Sequence, residues 1–453
     1  MMNVSQAAQA LGAQFHGRDV EFTAVGTDSR TLKRGELFVA LKGERFDGHA
    51  FVAQAATAGA AAALVERADE TVALPQIVVA NTTRALGHLS NFWRRRFKVP
   101  LVALTGSSGK TTVKEMLAAI LRAASGENAV LATRGNLNNH IGVPLTLLEL
   151  RREHRYAVIE MGMNHAGEIS YVTQLAEPDV ALITNAGTAH LEHLGSAEAI
   201  ARAKGEIFEG LKSNGIAIFS ADDRFAPLWR TLVGTKRQLE FGIATGAAVT
   251  AVYKVRQLDS EIVLKTPLGE AAVVVPVPGL HNVRNALAAS AAASALAVPV
   301  ATIATGLAHF RGSNGRLQRK QSRSGATVID DTYNANPDSV RAAIDVLAQQ
   351  SGKKILVLGD MGELGGEAAA LHAQVGDYAR RAGINRLFAL GEMSAHTVRA
   401  FGADARQFTQ TADLIATITP LLTPDTTLLV KGSRFMRMER VVEAVTGEAM
   451  EIH

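Results

Sequence analysis

The chain has 453 residues, 47% hydrophobic and 20% charged, with a net charge of +4; this balance fits a globular protein of about three domains and excludes a disordered or fibrous chain. It contains no cysteine, which excludes disulfides, thiolate metal sites and a cysteine nucleophile. The positive residues are scattered, and the one dense run, Arg94-Arg95-Arg96-Phe97-Lys98, has no aromatic or basic repeats beside it; it reads as a solvated helix end at a domain junction, and no nucleic-acid partner is expected.

Met1 to Gln6 lacks the basic-then-apolar order of a signal peptide, so a cytoplasmic location is the expectation. Ser5 to Gly12 reads as a short helix. Val25-Gly26-Thr27-Asp28-Ser29-Arg30 leads into a strand between the glycine turns at Gly35 and Gly43. Phe46-Asp47-Gly48-His49 is a turn, Ala50 to about Gly59 is helical, and Ala63-Leu64-Val65 and Ile77-Val78-Val79 are strands. Ser29, Arg30 and the Asp47-Gly48-His49 turn put polar groups beside a strand, where a ligand can bind, although polar loop residues alone do not define a site.

From about 98 to 311 strands and helices alternate as in a parallel doubly wound sheet. The stretch that organises this part is Val99 to Ala124. The apolar run Leu101-Val102-Ala103-Leu104 breaks into Thr105-Gly106-Ser107-Ser108-Gly109-Lys110-Thr111-Thr112. Val113, Met116, Leu117, Ile120 and Leu121 then fall on one helical face. Strand, glycine loop and helix N-terminus make a phosphate cradle: Gly106 and Gly109 free the backbone to turn its N–H groups inward, Lys110 reaches outer phosphates and the Thr111 hydroxyl can hold Mg²⁺. The general pattern asks for a glycine where Leu104 stands, so this is a short variant. Further strands end in Glu160 (after Tyr156 to Ile159) and in Thr184-Asn185 (after Val180), the latter running into Ala189-His190-Leu191-Glu192 and a helix that carries Lys204. Strand ends of one sheet are where ligands bind in such folds. Gly279-Leu280-His281-Asn282-Val283-Arg284-Asn285 opens an Ala-rich helix. The uncharged stretch Asn285 to Ala308 is too weakly apolar for a membrane span and reads as a buried helix ending near Val298.

Residues from about 312 form a third alternating unit. Gly315-Arg316-Leu317 precedes the strand Ala326 to Ile329 and Asp330-Asp331-Thr332-Tyr333-Asn334-Ala335-Asn336-Pro337. The segments Gly359 to Gly365 and Lys431-Gly432-Ser433-Arg434 sit at the ends of later strands and are candidate substrate contacts. The expected architecture is therefore α/β in three domains: a small α/β N-terminal domain (1–97), a central mostly parallel sheet with the phosphate loop (98–311), and a C-terminal Rossmann-like domain (312–453).

In order and spacing, these motifs resemble the Mur ligases, the ATP-dependent amide-forming enzymes of peptidoglycan synthesis. Gly135-Asn136-Leu137-Asn138-Asn139, Glu160 to His165, Asp331 to Pro337, Gly359 to Gly365 and Lys431-Gly432-Ser433 resemble the member of the family that joins D-alanyl-D-alanine to UDP-N-acetylmuramoyl-tripeptide. The resemblance implies ATP bound at Gly106 to Thr112, with Lys110 on its phosphates. It implies one Mg²⁺ at Thr111 and Glu160, a second at His190, and Lys204 converted by CO₂ to a carbamate beside the metals. His281, Asn282 and Asn285 would lie near the adenine, Arg316 near the γ-phosphate, and Asp331 would be a nucleotide contact. Ser29, Arg30, Asp47, Gly48 and His49 would hold the UDP-sugar end, with Asn138, Asn334 and Asn336 as further substrate contacts. A monomer is expected. Folylpolyglutamate synthase, which shares the loop and the modified lysine, and a non-catalytic ATP-binding module are the rival readings.

Overall fold

The computed structural model describes every residue except 45, 188–190, 245, 313 and 449–453. Three large sheets follow one another along the chain. The first has five strands, in the order Gln14–His16, Gln76–Val78, Ala62–Val65, Leu37–Val39 and Val25–Gly26. All pairs are parallel apart from Gln14–His16 against Gln76–Val78. The second has six parallel strands, ordered Arg237–Phe241, Ile216–Ser220, Val180–Ile183, Leu101–Thr105, Tyr156–Glu160 and Val130–Ala132. Leu101–Thr105 and Val180–Ile183 are buried at every position, as a parallel sheet covered on both faces requires. The phosphate-loop strand thus lies inside the sheet, with successive strands added first on one side and then on the other. That reversal opens a crevice at the carboxyl ends, directly above the loop.

The third sheet runs Gln318–Gln321, Thr327–Asp331, Thr426–Lys431, Lys353–Gly359, Arg386–Leu390 and Ala405–Phe408, parallel except for its first pair. The strand that comes last in the chain, Thr426–Lys431, inserts between two earlier ones, which sets Asp331 and Lys431 side by side at the carboxyl edge.

Between the second and third sheets the regular alternation expected for 98–311 gives way to an antiparallel meander: Thr250–Val255, Ser260–Thr266 and Gly269–Val275. Its signal is a period of two: Ile262 and Leu264 are buried while Val263 is exposed. Such alternation marks a half-buried antiparallel ribbon rather than a helix-covered strand. The buried side packs on the helices Leu280–Ala295 and Val300–Ala308. These two helices divide the uncharged stretch, with Ala297 in the left-handed region at φ +59° and Pro299 behind it. Among the described residues no helix is long and apolar enough to cross a membrane.

The helix Lys110–Ser125 buries Val113, Met116, Leu117, Ile120 and Leu121, the face expected from their spacing, and also Lys114. Lys114 is fully enclosed because its ammonium donates to the Thr133 carbonyl (2.6 Å) and pairs with Glu115 (2.7 Å).

The basic run is the solvated helix end expected of it at Arg95, Arg96 and Lys98, but its first residue departs from that expectation. Arg94 closes the helix Thr82–Arg94 and is 2% exposed. Its guanidinium donates to the carbonyls of Ala176 (3.0 Å) and Phe97 (2.8 Å) and lies 3.5 Å from Asp179. Nearby, Trp93 Nε1 donates to the Leu150 carbonyl at 3.0 Å, and Asn91 Nδ2 donates to that of Leu175 at 2.8 Å. One hydrophobic cluster runs from Val4 and Leu37 through Trp93 into Leu101 and Ile159. The first and second sheets therefore share a core, riveted by side chains of this helix. Arg94→Ala should lower stability by about 3 kcal/mol, because it orphans buried acceptors and Asp179; urea unfolding of the two forms, followed by fluorescence of the two tryptophans, measures the difference.

Candidate active site

The carboxyl ends of the second and third sheets face each other across a cavity of about 610 Å³. On one wall lie Ser107 to Lys110, Asn138, Glu160, Asn185, His281, Asn282 and Asn285; on the other lie Arg316, Asp331, Asn334, Asn336 and Lys431.

The loop needs both its glycines. Gly106 has φ +155°, and a Cβ there would run into Thr184 Oγ1; Gly109 has φ +79°, and a Cβ there would run into Asn285 Oδ1. Thr184 Oγ1 donates to the Ser108 carbonyl at 2.7 Å. Asn185 Nδ2 donates to the same oxygen (3.0 Å), while its Oδ1 accepts from Ser108 N (3.0 Å) and Oγ (3.2 Å). Thr184 and Asn185 are thus the clamp that shapes the cradle, a role that reading the sequence did not assign. Their one sequence signal is two polar residues ending an apolar strand. Lys110 folds its ammonium back to the Gly106 carbonyl at 2.7 Å. Burial lowers its pKa from the ordinary value, and the nearby Glu160 opposes that shift.

Thr111 Oγ1 donates to Glu160 Oε2 at 2.9 Å and accepts from Arg316 Nη2 at 3.0 Å. Asn138 Nδ2 donates to the other Glu160 oxygen at 2.9 Å. A buried carboxylate beside a hydroxyl at a helix start is a hard-oxygen donor pair, the chemistry Mg²⁺ requires, so these residues fit that ion. His190, expected at a second metal, lies outside the described residues. Lys204 sits near the end of the helix Ala197–Gly205 and is 1% exposed. Burial drives its ammonium well below the ordinary range, and the charge of Lys110 adds to the effect. Among the described residues no hydrogen bond or ion pair holds its Nζ, and its burial favours the neutral amine over the ammonium.

His281, Asn282 and Asn285 occupy the first turns of the helix Leu280–Ala295. Asn282 Nδ2 donates to the Pro278 carbonyl (2.7 Å), and its Oδ1 accepts from Asn285 Nδ2 (3.2 Å). This chain of amides braces Gly109 from behind. Across the cavity, the Arg316 guanidinium lies 4.3 Å from the Tyr333 ring centroid, a cation–π stack that aims it at the loop. Asp331 accepts from Lys431 Nζ at 2.5 Å and from Leu317 N at 3.1 Å, and Leu317 has φ +52°. Burial raises the Asp331 pKa, against the pull of Lys431. Both carboxylate oxygens are engaged within the third sheet's unit, and they hold the turn that presents Arg316. Asn336 caps the helix Pro337–Ala348 through Ser339 N (2.9 Å), and Asn334 Oδ1 accepts from Ala335 N (2.8 Å).

The polar groups of the first sheet stand apart from this cavity. Asp47 Oδ1 accepts from His49 N (3.0 Å) and His49 Nδ1 (2.5 Å), and His49 Nε2 accepts from Glu66 N (2.7 Å). The ring is therefore the Nδ1–H tautomer with both nitrogens engaged. Gly48 packs so tightly that a Cβ would meet the Leu41 carbonyl at 2.6 Å. Asp47-Gly48-His49 is thus an internally satisfied turn. Arg30 pairs with Asp28 at 2.7 Å on the surface, and Ser29 Oγ donates to Gln54 at 3.2 Å.

A short phosphate loop facing a second Rossmann-like sheet across one cavity, behind a small third sheet, has a counterpart among known proteins. Three family models match in succession: "Mur ligase family, catalytic domain" over 21–94, "Mur ligase middle domain" over 104–293, and "Mur ligase, glutamate ligase domain" over 315–434. The chain belongs to the Mur ligase family. Within it, the chain is 44% identical over 98% of its length, and 98% of the relative's, to the UDP-N-acetylmuramoyl-tripeptide–D-alanyl-D-alanine ligase of Escherichia coli (strain K12). It is also similar to the crystal structure of MurF from Acinetobacter baumannii, with a TM-score of 0.93 and 39% identity over 99% of this chain and 100% of that one. MurF of Thermotoga maritima in complex with ADP gives a TM-score of 0.83 at 27% identity, over 94% of this chain and 97% of that one.

The site also sets a pH dependence. Burial, with Lys431 and Arg284 nearby, depresses the His281 pKa from 6.5 to about 4. The unfolded chain takes up this proton between those two values and the folded chain does not, so stability falls as pH drops from about 6.5 to about 4. His281→Gln should flatten that slope in urea unfolding measured at a series of pH values.

Proposed function

We propose that this chain joins D-alanyl-D-alanine to UDP-N-acetylmuramoyl-tripeptide, with ATP converted to ADP and phosphate, in peptidoglycan precursor synthesis. The observation that carries the reading is the Arg316–Thr111 hydrogen bond at 3.0 Å: it brings the third sheet's arginine onto the phosphate loop, as transfer of a γ-phosphoryl group between substrates on different domains requires. The relatives that match along nearly the whole chain are named for this reaction. In this reading the three units are 1–97 for the UDP-sugar end, 98–311 for ATP and 312–453 for the dipeptide. A nucleotide-linked precursor also suits a cytoplasmic enzyme.

The chemistry follows from the residues. A carboxylate oxygen of the tripeptide attacks the γ-phosphorus of ATP; the bond to the β–γ bridging oxygen breaks and ADP leaves with its electrons. The amine of the dipeptide then attacks the carbonyl carbon of the acyl phosphate, and phosphate departs as the amide forms. The first step asks for position and charge neutralisation more than covalent help. Lys110 and Arg316 supply cationic contacts from opposite walls, backbone N–H groups of Gly109 to Thr111 at the helix start cradle the phosphates, and closure of the walls keeps water from the acyl phosphate. Mg²⁺, when held by Thr111 and Glu160, adds further neutralisation of phosphate charge. Lys204 is read as the amine that takes up CO₂; the resulting carbamate, with His190, would serve a second ion.

Lys110→Ala should lower turnover at least about a hundredfold, the scale of a lost transition-state contact, with an intact fold by circular dichroism; a coupled assay of ADP release that depends on both substrates measures it. For Lys204 the substitutions separate an anion from a cation. Lys204→Ala should lose activity and regain part of it with a short added carboxylate, and Lys204→Arg should do no better than alanine. A near-normal arginine variant would return Lys204 to an ordinary cationic role.

A further inference from the structure

Lys114 is a buried cation that the mechanism above does not use. It lies one helical turn beyond Lys110 and three residues after Thr111, so Thr111 and Lys114 share a face of the helix Lys110–Ser125. An ammonium held out of water is costly unless it is hydrogen-bonded, and this one has two partners, the Thr133 carbonyl at 2.6 Å and Glu115 at 2.7 Å. Glu115 is its neighbour in the chain, so the contact that reaches another element is the one to Thr133. That residue follows the strand Val130–Ala132, at the point where the parallel ladder with Tyr156–Glu160 breaks off. Thr133 N still donates to the Val158 carbonyl at 3.0 Å. The regular next rung would send Glu160 N to the Thr133 carbonyl. Instead, Glu160 N donates to the Thr133 hydroxyl at 2.9 Å, and the carbonyl receives Lys114. Thr133 is 1% exposed, so both contacts are made away from water.

The exchange lets the chain leave the sheet just as it comes level with Glu160. Leu137 N donates to the Arg134 carbonyl (3.2 Å) and Asn138 N to that of Asn136 (2.7 Å), a turn that brings Asn138 over the end of the neighbouring strand. There Asn138 Nδ2 donates to Glu160 Oε1 at 2.9 Å, and the Asn138 carbonyl accepts from Gly162 N at 2.8 Å. Glu160 is thus fixed at three atoms: its N by Thr133, its Oε1 by Asn138 and its Oε2 by Thr111. Two of these three contacts start from the residue that Lys114 anchors. Resting on the function proposed above, with Mg²⁺ held by Thr111 and Glu160, we propose that Lys114 and Thr133 are positioning residues for that ion. Lys114 takes the Thr133 carbonyl out of the ladder, and the Thr133 hydroxyl, accepting in its place, sets the Glu160 backbone so that the carboxylate meets Thr111. Neither residue lines the cavity; both act through Glu160. One helix then presents the phosphate contact Lys110, the Thr111 hydroxyl and the anchor of the carboxylate at fixed spacing, which keeps the donors for the ion in register with the phosphates.

The test compares full-length wild type with Thr133→Val, Thr133→Ser and Lys114→Met, each titrated with ADP in a calorimeter over a series of Mg²⁺ concentrations that includes none. Mg²⁺ should tighten ADP binding to the wild type. Thr133→Val keeps the shape but removes the acceptor, and it should raise the Mg²⁺ concentration that gives half of this effect about tenfold, the scale of a lost partner behind a metal ligand. Its affinity for ADP without Mg²⁺ should stay at the wild-type value. Thr133→Ser, which keeps the hydroxyl, should stay near wild type, and Lys114→Met should shift in the same direction as the valine variant. Urea unfolding of the same proteins reports stability separately. A role limited to packing predicts a lower unfolding midpoint with the Mg²⁺ dependence unmoved, and that result overturns the assignment. So does a Thr133→Ser variant as impaired as the valine one, or an equal loss of ADP affinity without Mg²⁺, which places the defect in the phosphate loop. A wild type whose ADP binding ignores Mg²⁺, or whose ADP release ignores the dipeptide, overturns the reading on which the inference rests; a Mg²⁺-responsive wild type beside unmoved Thr133→Val and Lys114→Met overturns this inference alone.

Discussion

The hydroxyl of Thr111 is the point on which the arrangement of the site depends. It is one oxygen at the start of one helix, yet it donates to Glu160 from the neighbouring strand and accepts from Arg316, more than two hundred residues further on. Each partner is held in turn: Glu160 by Asn138, and Arg316 by the Tyr333 ring and by the Asp331-clamped turn behind it. The linked groups hold one another from several sides, so the set has little freedom to rotate once the two sheets meet.

Close approach imposes the second constraint. A parallel sheet can present a phosphate to backbone N–H groups only if nothing stands between loop and ligand. The loop meets this by giving up side chains at Gly106 and Gly109, and the vacated space is filled from the outside by Thr184 and Asn285. The same crowding explains the electrostatics of the site. Lys110 and Lys204 are both withdrawn from water and both lose basicity, and the charge of Lys110 adds to the cost of ionising Lys204. Burial of Lys204 favours its uncharged form far more than exposure to water would.

Much of this was legible locally. The strand, loop and helix from Leu101 to Ser125 follow from an apolar run, two glycines and a 3.6-residue period, and the five expected core positions of that helix are buried. Glu160, Lys204 and Arg316 stood out as charged residues at strand ends or on a helix in an alternating pattern. Other features were less legible, for different reasons. The meander between Thr250 and Val275 has a two-residue period, but it interrupts an α/β alternation that favoured continuing the same reading. Arg94 looked solvated because its neighbours are charged; its acceptors, the carbonyls of Ala176 and Phe97 and the Asp179 carboxylate, lie partly beyond the reach of local pattern. Asn185 carries no motif of its own, and only its placement gives it meaning.

The sequence by itself determined the local elements and their chemistry: where the chain must turn, which face of a helix is apolar, which loop can cradle a phosphate. These depend on dihedral preferences and spacing within a few residues, which are properties of short segments. Only the tertiary structure decided which of the polar residues act together. It set Asp331 against Lys431 and brought Arg316 to Thr111, and it left Asp47 and His49 bonded to each other and to Glu66. The physical reason is that a hydrogen bond or charge pair acts over a few ångströms, whereas the residues that make these contacts are separated by up to hundreds of positions; the packing of three sheets, not any local pattern, closes that distance.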